Sequence, residues 1–187
     1  MESIAFMGGI ATVVVRLGVA MLIGCVLGIN RDLREKPAGL RTHGLVALGS
    51  ALVTLTSVQL ANSGGTLDGS GVIRAVQGII VGVGFLGGGV ILRDPDFAEV
   101  KPRHHHKKVR GLTTAASIWV ASALGIACGA GQWPSALVAL AFTLLVLVAG
   151  GPVESRIHDM LHSRTHELDE PPSAAAPTSN SQADSHP

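Results

Sequence analysis

Four stretches of this chain, residues 45–60, 72–92, 112–128 and 134–149, run apolar without a single Asp, Glu or Lys. A fifth apolar stretch precedes Gly28. Runs of this length and uniformity are too long for barrel strands and match helices that cross a bilayer. Lipid admits only helices and closed barrels, because every backbone polar group must be satisfied without water. The chain therefore reads as all-α, a polytopic transmembrane helical bundle of about five spans. Charged residues are only 14% of the 187, against about 25% in a soluble domain, and they collect in the loops and the C-terminal tail.

Basic residues mark the expected orientation. The turn after the first span holds Arg31, Arg34, Lys36 and Arg41, and the loop after the third holds Arg93, Lys101, Arg103, Lys107, Lys108 and Arg110. Such loops stay in the cytoplasm, so the N-terminus is expected outside and the C-terminus inside. Residues 1–151 form the expected transmembrane domain. Residues 152–168, with Val153, Ile157, Met160 and Leu161 at helical spacing, are expected to form a short amphipathic cytoplasmic segment. Residues 169–187, rich in Pro, Ser and Ala, have the composition of a disordered tail. Cys25 and Cys128 both fall in apolar runs and read as small packing residues. Arg16 sits within the first apolar stretch and no clear cleavage site follows, so no cleavable signal peptide is evident. A net charge of +1, with no basic stripe interleaved with aromatics, gives no sign of nucleic-acid binding.

Several motifs bear on function. Gly82-Val83-Gly84-Phe85-Leu86-Gly87 satisfies the dinucleotide fingerprint G-x-G-x-x-G, but that fingerprint needs a strand–turn–helix context. Inside an apolar span it reads as membrane packing instead. Gly78 and Gly82, Gly84 and Gly88, Gly24 and Gly28, and Gly125 and Gly129 are small-xxx-small pairs that let helix backbones approach. Consecutive glycines at 87–89 also weaken the third helix and suggest a kink or a thin seam. Intramembrane charge is costly. Arg16 either snorkels to the outer headgroups or hydrogen-bonds polar groups of another span, and Arg74 and Gln77 admit the same two readings. Arg41, Thr42 and His43 open the second span together: either Thr42 caps the helix and Arg41 anchors to lipid phosphate, or the three form a polar cluster that meets a partner or an anion. Thr113 or Thr114 is expected to cap the fourth span, after Gly111, at a helix terminus that suits anions. The two polar clusters lie on one side and are candidates for one shared site between spans two, three and four. His104, His105 and His106 read as a solvated loop rather than a metal site, and Asp94, Asp96 and Glu99 as exposed carboxylates. No nucleophile–base set stands out, so no catalytic, cofactor or metal site is expected.

At these residues the chain resembles the MgtC/SapB family of bacterial membrane proteins. The matching pieces are Gly28-Ile29-Asn30-Arg31-Asp32, Ala38-Gly39-Leu40-Arg41-Thr42-His43, Arg74 with the Gly82 to Arg93 string, and Arg110-Gly111-Leu112-Thr113-Thr114-Ala115-Ala116 with Trp119. Arg16 also stands where the family tends to carry Arg. The order and spacing match across about residues 10–150. The resemblance implies a plasma-membrane protein linked to magnesium-limited growth and, in some pathogens, to survival in macrophages. It also implies partners among membrane proteins such as the ATP synthase or ion transporters, and homo-oligomers. Three departures stand out: Asn30 replaces a usual Glu, Gly71-Val72-Ile73 replaces an Asp-Pro before Arg74, and a short tail replaces the soluble C-terminal domain of longer members.

The expected function is a non-enzymatic membrane regulator of magnesium, ion or energy homeostasis acting through intramembrane protein contacts. The candidate residues are Arg16, Arg31, Arg41, Thr42, His43, Arg74, Gly82, Gly84, Gly87, Gly88, Gly111, Thr113, Thr114 and Trp119. The rival is a Mg²⁺ transporter or channel, against which the lack of carboxylates in the apolar runs counts.

Overall fold

A computed structural model describes residues 2–63, 69–92 and 111–168. Five helices form: α1 Glu2–Asp32, α2 Leu40–Ser63, α3 Gly69–Leu92, α4 Leu112–Gly129 and α5 Trp133–Leu168. Each is long and apolar enough to cross a membrane, over Gly9–Asp32, Leu40–Ser63, Gly69–Leu92, Leu112–Gly129 and Trp133–Val153. No strand occurs among the described residues. The His104–His106 triplet, Asp94, Asp96, Glu99, the basic residues of 93–110 and the 169–187 tail lie outside the described residues.

Helices α1, α2 and α4 pack on one another, and α3 flanks α4 and α2. The shared core is built from small and medium apolar side chains: Ala20, Ile23 and Leu27 of α1, Ala47, Ala51 and Leu55 of α2, and Ile118, Ala121 and Leu124 of α4. Lipid tails are as apolar as leucine, so helix association here depends on close backbone approach rather than on water exclusion. Glycine supplies that approach. A Cβ on Gly24 would lie 2.8 Å from Ala47 Cβ, and one on Gly28 would lie 2.8 Å from the Gly39 carbonyl oxygen, so α1 meets α2 through these two positions. Gly125 and Gly129 of α4 likewise leave no room for a side chain against the Ala47 and Ala51 carbonyls of α2. Cys128 is buried, Cys25 is half-buried, and both thiols are free.

The outward faces stay apolar, as a lipid-facing surface requires: Phe85 is 83% exposed and Val81 73%. The chain divides into two units, residues 1–146 and 147–187. The second contains the later part of α5, which is helical to Leu168 and includes Pro152 in its interior.

Candidate polar site in the helix core

The turn that joins α1 to α2 places the first functional groups. Glu35 and Ala38 adopt left-handed φ values of 53° and 61°, which lets the chain reverse within a few residues. The Asp32 carboxylate then folds over Gly39, occupying the space a Cβ there would need, and its Oδ2 accepts the Leu40 N–H at 2.9 Å. Asp32 thus caps α2. Thr42, expected to do so, is exposed and lies two residues past Leu40, and Arg41 is exposed one residue past it. An N-cap must precede the first helical residue to meet the free N–H groups, and Thr42 lies inside the helix.

His43 points inward and is fully buried. Its Nδ1 lies 3.0 Å from the Gly39 carbonyl oxygen, and its Nε2 lies 3.0 Å from Ser117 Oγ of α4. A carbonyl can only accept, so Nδ1 carries the proton, and in the neutral ring Nε2 accepts from Ser117. Ser117 Oγ also lies 2.8 Å from the Thr114 carbonyl oxygen. Its single hydroxyl proton therefore has two acceptors within reach. A Ser–His pair at this distance resembles a nucleophile and its base. Both residues are packed inside the helix core, with Ser117 only 3% exposed. The arrangement joins α2 to α4.

Thr114 is the hub. Its Oγ1 accepts a hydrogen bond from Arg31 Nη2 at the end of α1. Arg31 is 3% exposed, and its Nε is buried without a partner, as is Asn30 Oδ1. Neither Thr113 nor Thr114 caps α4: Gly111, at φ 87°, occupies the cap position and no side chain caps the helix. Thr113 is exposed, whereas Thr114 turns inward to meet Arg31. The Gly111 conformation suits a residue without a Cβ, and any Cβ there would lie 3.4 Å from the Val90 carbonyl oxygen of α3.

Further along the core, Ser50 Oγ of α2 and Ser122 Oγ of α4 pair at 2.8 Å. At the far end of α4, Arg16 Nη1 donates to the Gly129 carbonyl at 3.1 Å. Of the two readings of Arg16, the structure has the bond to another span. Arg74 is exposed and donates to Ser70 Oγ one turn back, at 3.3 Å. Trp119 is 47% exposed. Of the α3 glycines, Gly87 packs within 3.4 Å of Ala115, while Gly82, Gly84 and Gly88 have nothing within 4 Å of a built Cβ. The site therefore unites Arg31, His43 and Thr114 from three helices, with α1 in place of the expected α3. It leaves Arg41, Thr42, Thr113 and Arg74 outside. Asp32, Gly39 and Ser117 belong to it and sequence reasoning missed them. The one available signal was the spacing of Thr114 and Ser117, three residues apart on one helix face. Among the described residues no group of three His, Cys, Asp or Glu side chains converges.

Comparison with known proteins adds to this geometry. A family model described as the MgtC family matches residues 17–156, a range that holds the whole Arg31–His43–Thr114 network and begins just after Arg16. The chain is 45% identical to Protein SrpB of Synechococcus elongatus over 132 residues, which cover 71% of each protein. It is 39% identical to Protein MgtC of Salmonella typhimurium over 136 residues, 73% of this chain and 50% of that protein. Protein SapB of Bacillus subtilis is 38% identical over 138 residues, 71% of this chain and 54% of SapB. The chain thus spans about half the length of the last two relatives. No solved structure matches.

Proposed function

The chain belongs to the MgtC family, and on that premise we propose that it is a membrane regulator of magnesium, ion or energy homeostasis, acting by packing against the membrane helices of another protein. The observation that carries this reading is the bare glycine face of α3. Gly78, Gly82, Gly84, Gly88 and Gly89 have no neighbouring atom within 4 Å of a built Cβ. A glycine inside a helix costs roughly 0.5–1 kcal/mol relative to alanine. At Gly24 and Gly28 of α1 and Gly125 and Gly129 of α4 that cost is offset by close contact with α2. On these five positions of α3 nothing among the described residues offsets it, and on this reading a helix from outside does.

The setting we assign is the bacterial inner membrane, with the N-terminus outside and the C-terminus in the cytoplasm, following the basic turns. The role is adaptation to low Mg²⁺, with a bearing on virulence in pathogens. Partners include ion transporters, the ATP synthase and further copies of the chain. Direct Mg²⁺ transport is the weaker reading. Mg²⁺ gives up water reluctantly and is held through carboxylates. Asp32 is the one acid in the five spans, and it is committed to Leu40 N.

A photo-reactive residue placed at Val81 or Phe85 on α3, with Leu45 of α2 (68% exposed) as the reference, tests the contact in magnesium-limited cells. The α3 positions are expected to capture a membrane protein, which the adduct then identifies, and Leu45 to capture lipid. Lipid adducts alone at all three positions would remove the reading.

A further inference from the structure

The two arginines that contact α4 stand at opposite ends of its dipole. Arg16 meets the Gly129 carbonyl at the C-terminal end, where a cation is favoured. Arg31 meets Thr114 in the first turn, where the helix carries partial positive charge and a cation is disfavoured. The N–H groups of Leu112, Thr113 and Thr114 precede the first intrahelical bond, Ala115 N to Gly111 O at 2.8 Å, and no side chain caps them. Two positive features therefore face each other.

Arg31 is also the more buried. It is 3% exposed and its Nε has no acceptor. Among the described residues it pairs with no carboxylate. The adjacent acid, Asp32, is turned to α2 and caps Leu40. A buried cation without a counter-charge is among the costliest arrangements a fold can hold. Among the described residues the two N-termini at this end of the core thus differ in kind: α2 has its anion built in, and α4 has a buried guanidinium and no anion.

We propose that this end of α4 is a binding site for a phosphate-bearing anion, held between the Arg31 guanidinium and the free N–H groups of the first turn of α4. Guanidinium forks and helix N-termini both suit phosphate oxygens. Arg31 lies at the end of the first span, at headgroup level, so the phosphate comes from an acidic lipid headgroup or from free phosphate. The site stands independently of the partner proposed for α3.

The test uses the full chain, delipidated in detergent at constant ionic strength. Its unfolding temperature is followed against inorganic phosphate, short-chain phosphatidylglycerol, phosphatidylcholine and chloride. A saturable rise is expected with phosphate, phosphatidylglycerol or both, and none with phosphatidylcholine or chloride. Phosphate alone identifies the free ion as ligand, phosphatidylglycerol alone identifies the headgroup, and mutual competition identifies a site open to either. Arg31→Gln is expected to weaken half-saturation about ten- to a hundred-fold. Lys36→Gln, which removes the same charge from the exposed turn, is expected to leave it unchanged. Should Arg31→Gln fail to fold, Thr113→Asp decides: it adds a negative charge to the first turn at an exposed position, and is expected to weaken half-saturation about two- to five-fold. No saturable rise, or half-saturation untouched by both Arg31→Gln and Thr113→Asp, overturns the proposal. Equal weakening by Lys36→Gln also overturns it, because binding is then mere charge attraction.

Discussion

Arg16 and Arg31 show how differently one residue type behaves at the two ends of a helix. Arg16 has a carbonyl at the favourable pole of α4, and its replacement should be felt. Arg16→Leu is expected to destabilise the bundle by about 1–2 kcal/mol, measured by reversible unfolding in detergent micelles; no change would mean the bond to Gly129 contributes nothing. His43→Ala should cost more, about 2–4 kcal/mol, because it leaves a cavity and removes one hydrogen-bond partner each from Ser117 and the Gly39 carbonyl. Ser117→Ala should cost less, and the double mutant should fall short of the sum by at least about 0.5 kcal/mol if the two side chains act as one unit. An additive result would contradict the bond drawn between them. Arg16 was legible in the sequence because a charge inside an apolar run demands a partner. Arg31 was a candidate through the Gly28–Asp32 motif alone, because by its charge it stands among Arg34, Lys36 and Arg41 and reads as one more loop cation. Ser117 was hidden among the other hydroxyls of α4, which gain meaning only once α2 is laid beside them.

At the scale of the helices, all five spans were readable from hydropathy, with starts shifted by about a turn: α2 begins at Leu40, five residues before its uncharged apolar stretch, and α3 at Gly69, three before its own. The early start of α2 has a local cause, since the Asp32 carboxylate caps it from the preceding helix. The glycine pairs were readable too, but not their use. Gly125 and Gly129 share their spacing with Gly84 and Gly88, yet the first pair meets α2 and the second meets nothing among the described residues. Spacing encodes the capacity for close approach, whereas neighbours decide whether it is used. Gly125→Ala, which drives a methyl into the Ala47 carbonyl, should therefore destabilise the fold by about 1–3 kcal/mol. Gly84→Ala should leave stability unchanged or raise it by up to about 1 kcal/mol. Paired unfolding titrations separate these outcomes, and equal losses would show that α3 is packed as tightly as α4.

For the molecule as a whole, the helix ends sort by chemistry. The end of α1 and the starts of α2 and α4 share the Arg31–Thr114 and His43–Ser117 bonds, while Arg16 closes the other end of α4. With the basic turns in the cytosol, a single cysteine at Gln132, introduced into a chain without Cys25 and Cys128, should react with a membrane-impermeant thiol reagent in intact cells. One at Lys36 should react only after the membrane is opened, and the reverse pattern would invert the topology. Function follows from where polarity is placed. Polar groups of α1, α2 and α4 tie those helices together, the one acid of the spans serves as a cap, and among the described residues the glycines of α3 other than Gly87 are left uncommitted. On the function we propose, such a molecule binds other helices rather than conducting a hydrated divalent cation. The most direct measurement is Mg²⁺ flux into proteoliposomes that hold the purified chain. Our account predicts uptake indistinguishable from that of empty vesicles; robust, saturable uptake that depends on the protein would contradict it.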